Sequence, residues 1–474
     1  MGIPQTASFL NILSGFLLSS YLAVAPASAN DSALSKPDMA RIMTLKETAL
    51  SSNLAYEIDD SLTTEVGARL VGTPQDALAV KWAVAKMKQL GFDKVWTEKV
   101  THTTWTRGTI EARITAPYPQ KMVAIALGGS IGTPQGGLTA EVVEFKNFAA
   151  LEAAEPNSLT GKIAFISFRM ARKIDGSGYG PAVKSRSAGP SVAASKGAIA
   201  LLIRSVGTDS NRIAHTGMLK YQDDIARIPA AALSNPDADM LQRQIARGKA
   251  VTVFLDLTAA RKDDVPVITA NVIGEITGRD TPDDYVVIGA HLDSWDVGTG
   301  AVDDGIGVAV TLATAKHILS LPERPKRSLR VILFAAEEVG LVGAKQYVQK
   351  NEPQMDNHII GAEWDFGTGF IYEMEPGVGP SSLNAIRELA ALLAPLGVSL
   401  SPKNTAKGDS DMSALGKAGM PAVNFAPDGL AYFDYHHTEN DTLDKVDPEA
   451  LKQNTAVFTL FSYFALQSGI DFRK

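Results

Sequence analysis

The sequence contains no cysteine among its 474 residues. This absence excludes disulfide frameworks, thiolate metal sites and cysteine nucleophiles together. It does not exclude an exported protein, because it means only that disulfides do not hold the chain together.

The chain also lacks an excess of positive charge. Its formal net charge is -7, and its basic residues are scattered without a long basic run. Binding to phosphate groups requires a basic face, so the charge argues against a nucleic-acid partner. The chain is 45% hydrophobic and 20% charged, a composition that supports a large core and argues against global disorder. Its length favours about two or three domains.

Charged side chains are missing from the first part of the sequence, Met1 to Ala29. Phe9 to Ala25 is mostly apolar, and the segment ends in Ala27-Ser28-Ala29, small residues of the kind that signal peptidase recognises. We therefore predict a signal peptide over 1–29 that is cleaved near Ala29, and a secreted or periplasmic protein without stable membrane insertion. The alternative is an uncleaved anchor, but the apolar run is short for a span and is interrupted by Ser14, Gly15, Ser19 and Ser20.

The remaining chain divides into three segments by its patterning. Residues 30–120 and 262–474 contain helical and strand-like segments that we assign to a catalytic domain. Tyr285 to Ala290 and Leu329 to Ala335 are largely continuous apolar runs, which are typical of buried parallel strands. Helical segments separate these strands, so we predict an α/β fold with a mostly parallel or mixed sheet flanked by helices.

Residues 121–261 have a different texture. Short β-like runs such as Ile163 to Phe168 alternate with segments rich in Gly, Ser and Ala, and no cluster of His, Asp and Glu suggests a catalytic site. We predict a β-rich insertion domain over 121–261 that shapes access to the site and limits substrate length. The Gly- and Ser-rich segment from Ile174 to Gly189 is expected to be exposed and to lie near the catalytic mouth.

Carboxylates and histidines follow the ends of the predicted parallel strands, where ligands bind in such sheets. Three of the seven histidines lie in these clusters, which are His291-Leu292-Asp293, Asp303-Asp304-Gly305, Glu337-Glu338, Glu363-Trp364-Asp365 and Tyr435-His436-His437. Imidazole nitrogen and carboxylate oxygen are the ligands that a divalent cation such as zinc prefers.

The clusters contain a complete ligand set for two ions. A pair of ions needs one carboxylate that reaches both, and Asp303 can bridge them. His291 and Asp365 can complete one ion. Glu338 and His437 can complete the other. Asp293 can accept the second N–H of His291 and fix its tautomer, and Glu337 stays free as the general base.

Each motif has a simpler explanation when it is taken alone. A His-x-Asp pair is commonly a hydrogen bond in a loop, and an Asp-Asp-Gly is most often a turn. Tandem glutamates commonly complement a helix dipole, and a pair of histidines is often a surface feature. Their joint position at strand ends favours a metal centre over these explanations.

The motifs His291-Leu292-Asp293-Ser294-Trp295-Asp296, Asp303-Asp304-Gly305 and Phe334 to Ala344 resemble those of the co-catalytic zinc aminopeptidase and glutamate carboxypeptidase family. The resemblance covers nearly all of the chain after residue 29. It implies two zinc ions per chain on His291, Asp303, Glu338, Asp365 and His437, with Glu337 as the base. It also implies a cis peptide after Asp303, a protease-associated insertion and a homodimer.

From these observations we expect a metallopeptidase that cleaves dipeptides or short peptides. The alternatives are an aminopeptidase of broader range, a receptor-like protein of the same fold that has lost catalysis, and a zinc aminoacyl cyclase with one metal. His436 is expected to donate a hydrogen bond to the oxyanion that forms during attack. The alternative for His436 is a packing role.

Overall fold

The computed structural model describes Gly2 and residues 32–474, so the predicted signal peptide lies outside the described residues. The helices are α1 (Lys36–Ser51), α2 (Leu54–Glu65), α3 (Pro74–Leu90), α4 (Phe148–Glu152), α5 (Tyr179–Ser187), α6 (Gly189–Ser195), α7 (Asn235–Ile245), α8 (Ile306–Leu319), α9 (Val342–Asn351), α10 (Leu383–Leu393), α11 (Met412–Lys417), α12 (Tyr432–Tyr435) and α13 (Pro448–Gln467). The strands are β1 (Lys94–Thr106), β2 (Ile110–Ala116), β3 (Gln120–Met122), β4 (Ala124–Ala126), β5 (Leu138–Phe145), β6 (Ile163–Ile166), β7 (Ala200–Arg204), β8 (Ala230–Leu233), β9 (Thr252–Leu257), β10 (Ala260–Ile276), β11 (Thr281–His291), β12 (Arg327–Phe334), β13 (His358–Glu363), β14 (Ile371–Gly377), β15 (Ser399–Leu400) and β16 (Ala422–Pro427).

The first sheet has the strand order β1-β10-β12-β11-β13-β16-β14-β15. Its central strands β12, β11, β13 and β16 run parallel, whereas β1 with β10, β10 with β12, and β14 with β16 are antiparallel. The carboxyl ends of the central strands therefore meet at one edge. His291 is the last residue of β11 and Glu363 the last residue of β13. The predicted α/β class with a mixed sheet is confirmed.

A second sheet has the order β3-β2-β9-β5-β6-β7-β8-β4. Strands β5 to β8 are parallel, and β9 is antiparallel to both of its neighbours, β2 and β5. We call residues 110–257 the second-sheet region. Strand β2 lies before residue 121, in the segment that the sequence assigns to the catalytic domain. The long pair of β1 and β10 connects this region to the first sheet.

Helices α8 and α13 are buried over most of their length and pack against each other. Helix α3 begins at the N-cap Thr73, whose side chain accepts a hydrogen bond from the Asp76 N–H, and ends at Gly91 with φ 99°. A left-handed glycine is a common helix terminus. Helices α1 and α2 are separated by Ser52 and Asn53.

The segment from Ile174 to Gly189 differs from the expected exposed loop. It forms α5 over Tyr179–Ser187, and the side chains of Ser185 and Arg186 are buried. The guanidinium of Arg186 therefore faces the protein interior, whereas Asp175 and Lys184 are exposed. Within the part of the chain that the structure describes, no helix combines the length and apolarity required to cross a bilayer.

Candidate active site

The carboxylate of Asp303 lies between two histidines at the edge formed by the central strands. Its Oδ1 is 3.1 Å from His291 Nε2, and its Oδ2 is 3.4 Å from His437 Nε2. Asp365 Oδ1 is 3.5 Å from the same His291 nitrogen, and Glu338 Oε2 is 3.0 Å from His437 Nε2. His291, Asp303 and Asp365 form one predicted group of possible ligands. The second group that the structure brings together is Asp303, His436 and His437, with Glu338 in contact with His437.

The other ring nitrogen of each histidine faces a backbone carbonyl. His291 Nδ1 is 2.9 Å from the Asp293 carbonyl oxygen, and His437 Nδ1 is 3.3 Å from the Thr216 carbonyl oxygen. A carbonyl only accepts hydrogen bonds, so His291 Nδ1 carries a hydrogen. His437 Nδ1 has both the Thr216 carbonyl oxygen and the donor Arg186 Nη1 at 3.3 Å. The Nε2 atoms of both histidines face carboxylate oxygens, an arrangement that a bound divalent cation would stabilise.

Buried oxygen atoms without hydrogen bonds fit the same interpretation. Asp303 Oδ2 and Glu338 Oε1 are buried, and neither has a hydrogen-bond partner among the described residues. A buried carboxylate is costly unless it is paired or coordinates a metal. Nitrogen and oxygen ligands without thiolates suit zinc and similar divalent ions. The residues present therefore fit the cations that the resemblance implies.

Burial and neighbouring charges shift the pKa values of the residues in the cluster. Burial raises the pKa of Glu338 well above its usual value, and the charge of Asp303 raises it further. Burial alone would lower the pKa of His291, but Asp365 and Asp303 raise it well above its ordinary value. Burial lowers the pKa of His437 well below its usual value, and His436 and Arg186 add to this effect. The protein thus concentrates negative charge that a divalent cation neutralises.

Glu337 lies beside this cluster without joining it. Its Oε1 accepts a hydrogen bond of 2.7 Å from the Ser410 hydroxyl, and burial raises the pKa of Glu337 to about 7. Ser410 lies in the Asp409-Ser410-Asp411 loop, which follows β15 of the first sheet. We call this first sheet the catalytic sheet. The peptide bond between Asp303 and Asp304 is cis, as the resemblance implies.

Asp293 has a different set of contacts from the one expected. Its carboxylate was expected to accept the N–H of His291, but Oδ1 is 3.9 Å from His291 Nδ1. The backbone carbonyl of Asp293 is the acceptor, and the carboxylate accepts a hydrogen bond of 3.0 Å from the Glu337 backbone N–H. The side chain therefore holds the segment that carries Glu337.

His436 stacks on His437, with ring centroids 3.5 Å apart. Its Nε2 is 3.8 Å from Asp303 Oδ2, and its buried Nδ1 has no hydrogen-bond partner in the described part of the chain. Burial lowers the pKa of His436 well below its usual value, and the charge of Arg186 adds to this effect. The ring is therefore neutral and retains one N–H beside the cluster.

A cavity of about 600 Å³ opens at the cluster. The second-sheet region contributes Asp175, Tyr179, Arg186 and Met218 to its lining, beside Glu337 and Asp365. The Ile174–Gly189 segment therefore lies at the mouth, as expected. Arg186 donates a hydrogen bond of 2.6 Å to the Tyr179 hydroxyl. The sequence alone indicated neither side chain, since both come from a segment without a ligand motif.

Two further residues that the sequence did not indicate hold the loop that carries Asp303. Asp441 Oδ1 accepts a hydrogen bond of 2.6 Å from the Val302 N–H. Arg69 is fully buried and donates at 2.6 to 2.9 Å to the carbonyl oxygens of Leu292, Thr299 and Gly300. Neither residue lies in one of the sequence motifs that predicted the metal ligands.

Comparison with known proteins agrees with this geometry. The sequence pattern of Peptidase family M28 matches residues 271–462. Carboxypeptidase Q of Mus musculus is 35% identical over 413 residues, which are 87% of this chain and 85% of the mouse protein. A peptidase M28 precursor from Shewanella amazonensis SB2B has a crystal structure with a TM-score of 0.90 and 47% identity, covering 92% of this chain and 98% of that one. A zinc aminopeptidase from Bacillus subtilis, 21% identical, shares the fold with a TM-score of 0.63 over 89% of this chain and 97% of its own.

Proposed function

The chain belongs to peptidase family M28, and from this membership we propose that it is a zinc-dependent exopeptidase that hydrolyses dipeptides or other short peptides. The mouse relative is named a carboxypeptidase and the Bacillus subtilis protein a zinc aminopeptidase. The cavity of about 600 Å³ at the cluster suits a short substrate. The second-sheet region lines this cavity and supports a limit on substrate length.

We assign two zinc ions to the cluster around Asp303. His291 and Asp365 would hold one ion with Asp303, and Glu338 and His437 would hold the other. Bound zinc would lower the pKa of water and polarise the substrate carbonyl. The observation that carries the proposal is that the Nε2 atoms of His291 and His437 both face buried carboxylate oxygens, at 3.1 Å and 3.0 Å.

Glu337 is the general base in this proposal. It removes a proton from the attacking water, whose oxygen bonds to the carbonyl carbon. The peptide C–N bond then breaks, and Glu337 returns the proton to the leaving amine. The Ser410 hydroxyl at Oε1 and the bond from the Glu337 N–H to Asp293 fix its position. Asp293 therefore acts through Glu337.

His436 is the proposed donor to the oxyanion that develops on the carbonyl oxygen. Its neutral ring lies beside Asp303 and keeps an N–H. A donor that is in place before the reaction stabilises the transition state more than the substrate.

The number of ions tests the proposal. We expect elemental analysis of the purified protein to find two divalent ions per chain. Chelation should abolish hydrolysis, and zinc should restore it. One ion per chain in fully active protein would contradict the dinuclear assignment.

The mode of exopeptidase action has one alternative, an aminopeptidase of broader range. A panel of dipeptides, amino-acid anilides and longer peptides, each with free or blocked ends, separates the two. We expect hydrolysis of unblocked dipeptides to be fastest, and fast cleavage of long peptides from the amino end would favour the alternative. The homodimer implied by the resemblance stays a prediction that sedimentation measurements can test.

A further inference from the structure

The backbone around His437 is held by the second-sheet region, from outside the catalytic sheet. The connection between β7 and β8 carries Thr216, whose N–H donates a hydrogen bond of 3.0 Å to the His437 carbonyl. The Thr216 carbonyl lies 3.3 Å from His437 Nδ1. Both contacts to this proposed ligand therefore come from a segment that has no ligand cluster of its own.

The buried residues His215 and Asp209 hold the backbone of His436, the residue before His437. His215 is 1% exposed and Asp209 is 4% exposed. His215 Nδ1 is 2.7 Å from the His436 carbonyl oxygen, and Nε2 is 2.6 Å from Asp209 Oδ2. These two contacts link Asp209 through the His215 ring to the His436 carbonyl in one hydrogen-bonded chain.

The pair is itself anchored within the second-sheet region. Asn235 Nδ2 donates a hydrogen bond of 3.1 Å to the Asp209 carbonyl, and the Ser205 hydroxyl accepts a bond of 2.9 Å from the His215 N–H. Gly207 faces the ring so closely that a Cβ there would lie 2.3 Å from His215 Cε1. Neither rotation nor displacement of the ring is easy in this setting.

His437 needs such support because of its backbone conformation. Its φ is 60°, in the left-handed region that residues other than glycine rarely adopt. Conformations of this kind persist only where the surrounding structure fixes them. The carbonyl groups on both sides of the His437 Cα, those of His436 and His437, are each bonded by the second-sheet region.

The approach of the two segments is close at Gly217. A Cβ on Gly217 would lie 2.7 Å from His437 Nδ1 and 2.2 Å from Arg186 Nη1. Its φ of 131° also disfavours other residues. The backbone of the second-sheet region is therefore packed directly behind the proposed ligand ring.

We propose that the Asp209–His215 pair is a positioning device for the zinc ion held by His437 and Glu338. His215 is a positioning residue: it fixes the His436 carbonyl and thereby the left-handed turn that aims His437 Nε2 at the cluster. The inference rests on the proposed dinuclear site. In this proposal the second-sheet region determines the affinity of the ion at His437 and Glu338. The affinity of the ion at His291 and Asp365 depends on the catalytic sheet alone.

The test titrates metal-free protein with Zn²⁺ in competition with a chromophoric chelator, which reports the number of ions and the dissociation constant of each. We expect the unchanged protein to bind two ions. His215→Ala should weaken one ion by about 10- to 100-fold, the range found when a partner behind a metal ligand is removed. The other ion should keep its affinity.

His215→Asn is the rescue variant, because its side-chain N–H can replace Nδ1 as the donor to the His436 carbonyl. We expect it to recover most of the lost affinity. Asp209→Asn keeps an oxygen acceptor at His215 Nε2 and should give an intermediate effect. If His215→Ala does not fold, these two variants carry the test, with circular dichroism to verify their folds.

The matched control is His358→Ala. His358 is also fully buried, with ring nitrogens 2.9 Å from the Tyr347 hydroxyl and the Gln354 carbonyl, but it lies at the far end of β13. We expect it to lower thermal stability without changing either dissociation constant. Equal affinities in His215→Ala and the unchanged protein, or equal weakening of both ions, would overturn the positioning role. Binding of fewer than two ions by the unchanged protein would overturn the proposed function instead.

Discussion

Two neighbouring glutamates, Glu337 and Glu338, have different surroundings although they share one turn of backbone. Glu338 Oε2 faces His437 Nε2 at 3.0 Å, whereas Glu337 Oε1 is bonded to the Ser410 hydroxyl. The first contact is that of a ligand. The second leaves a carboxylate oriented toward the cavity and available for proton transfer.

The paired variants Glu337→Gln and Glu338→Gln should therefore separate base from ligand. We expect Glu337→Gln to reduce turnover by at least about 10²- to 10⁴-fold, the usual contribution of a general base. Its zinc content should stay at two ions. Glu338→Gln should lose zinc. Steady-state kinetics and elemental analysis on the same samples check both, and an exchange of the two phenotypes would reverse the assignment.

At His436 the expected effect lies in the rate rather than in binding. His436→Ala should lower kcat by about 10²- to 10³-fold, as for loss of one oxyanion donor. KM and zinc content should change little, because the contact forms mainly in the transition state. His436→Gln keeps an N–H donor and serves as the control. A near-normal kcat in the alanine variant would assign His436 to packing.

Strand-end position made the principal residues predictable from the sequence. His291, Asp303, Glu338, Asp365 and His437 follow strands whose carboxyl ends must share one edge. The acceptor of the His291 N–H was not predictable. The carbonyl and the carboxylate of Asp293 can both accept it, and the sequence does not distinguish between them. Thr216 and His215 reach the cluster from a distant segment, and no local pattern signals that approach.

At the scale of elements, α5 shows how a local pattern can mislead. Glycines and serines flank and interrupt Tyr179–Ser187, so the segment was expected to be exposed. Tertiary contacts override this preference: Arg186 is buried, bonds to the Tyr179 hydroxyl and lies behind His437. Such packing depends on a partner that is distant in the chain, whereas β11 and β12 were evident from their continuous apolar runs.

His358, the first residue of β13, should make the free energy of unfolding depend on pH. Arg330 donates to the Tyr347 hydroxyl at 3.1 Å, so that hydroxyl donates to His358 Nε2, and Nδ1 donates to the Gln354 carbonyl. The ring is thus neutral. Burial lowers the pKa of His358 to about 4, and Arg330 contributes to the same effect.

Because this folded-state pKa lies below the unfolded value of about 6.5, the unfolded chain binds more protons between the two values. Stability should therefore fall as pH decreases from about 6.5 to 4, by up to about 3 kcal/mol from this group. Thermal unfolding midpoints measured across that range, with chelator throughout to remove metal effects, should decline less steeply in His358→Gln. Parallel curves for the two proteins would contradict the prediction.

At the scale of the whole molecule, bound zinc should stabilise the fold. An ion that binds only the folded chain contributes about 2.7 kcal/mol when its concentration is 100 times its Kd. We expect zinc to raise the thermal unfolding midpoint of metal-free protein. Glu338→Gln, with one weakened site, should show a smaller increase under the same conditions. An equal increase would indicate that stabilisation does not arise at the His437 site.

The sequence predicted an insertion from residue 121, whereas the second sheet begins with β2 at Ile110. The sheet to which β2 belongs was not predictable, because Ile110–Ala116 alternates like a strand of either sheet. Only its pairing with β9 assigns it to the second sheet, and pairing between distant strands depends on contacts that a single sequence does not display.

The ribbon of β1 and β10 has a consequence for the order of folding. Thr106 pairs with Ala260, and just beyond them Ile110 pairs with Leu257. Closing β1 against β10 in an unstructured chain would cost the entropy of a very long loop. Once β2 and β9 have paired, that loop is reduced to a few residues. We therefore expect amides of β2 and β9 to gain protection before those of β1 and β10 in pulsed hydrogen exchange. In that order of events the second sheet forms first, and the catalytic sheet is completed by β1 and β10 afterwards.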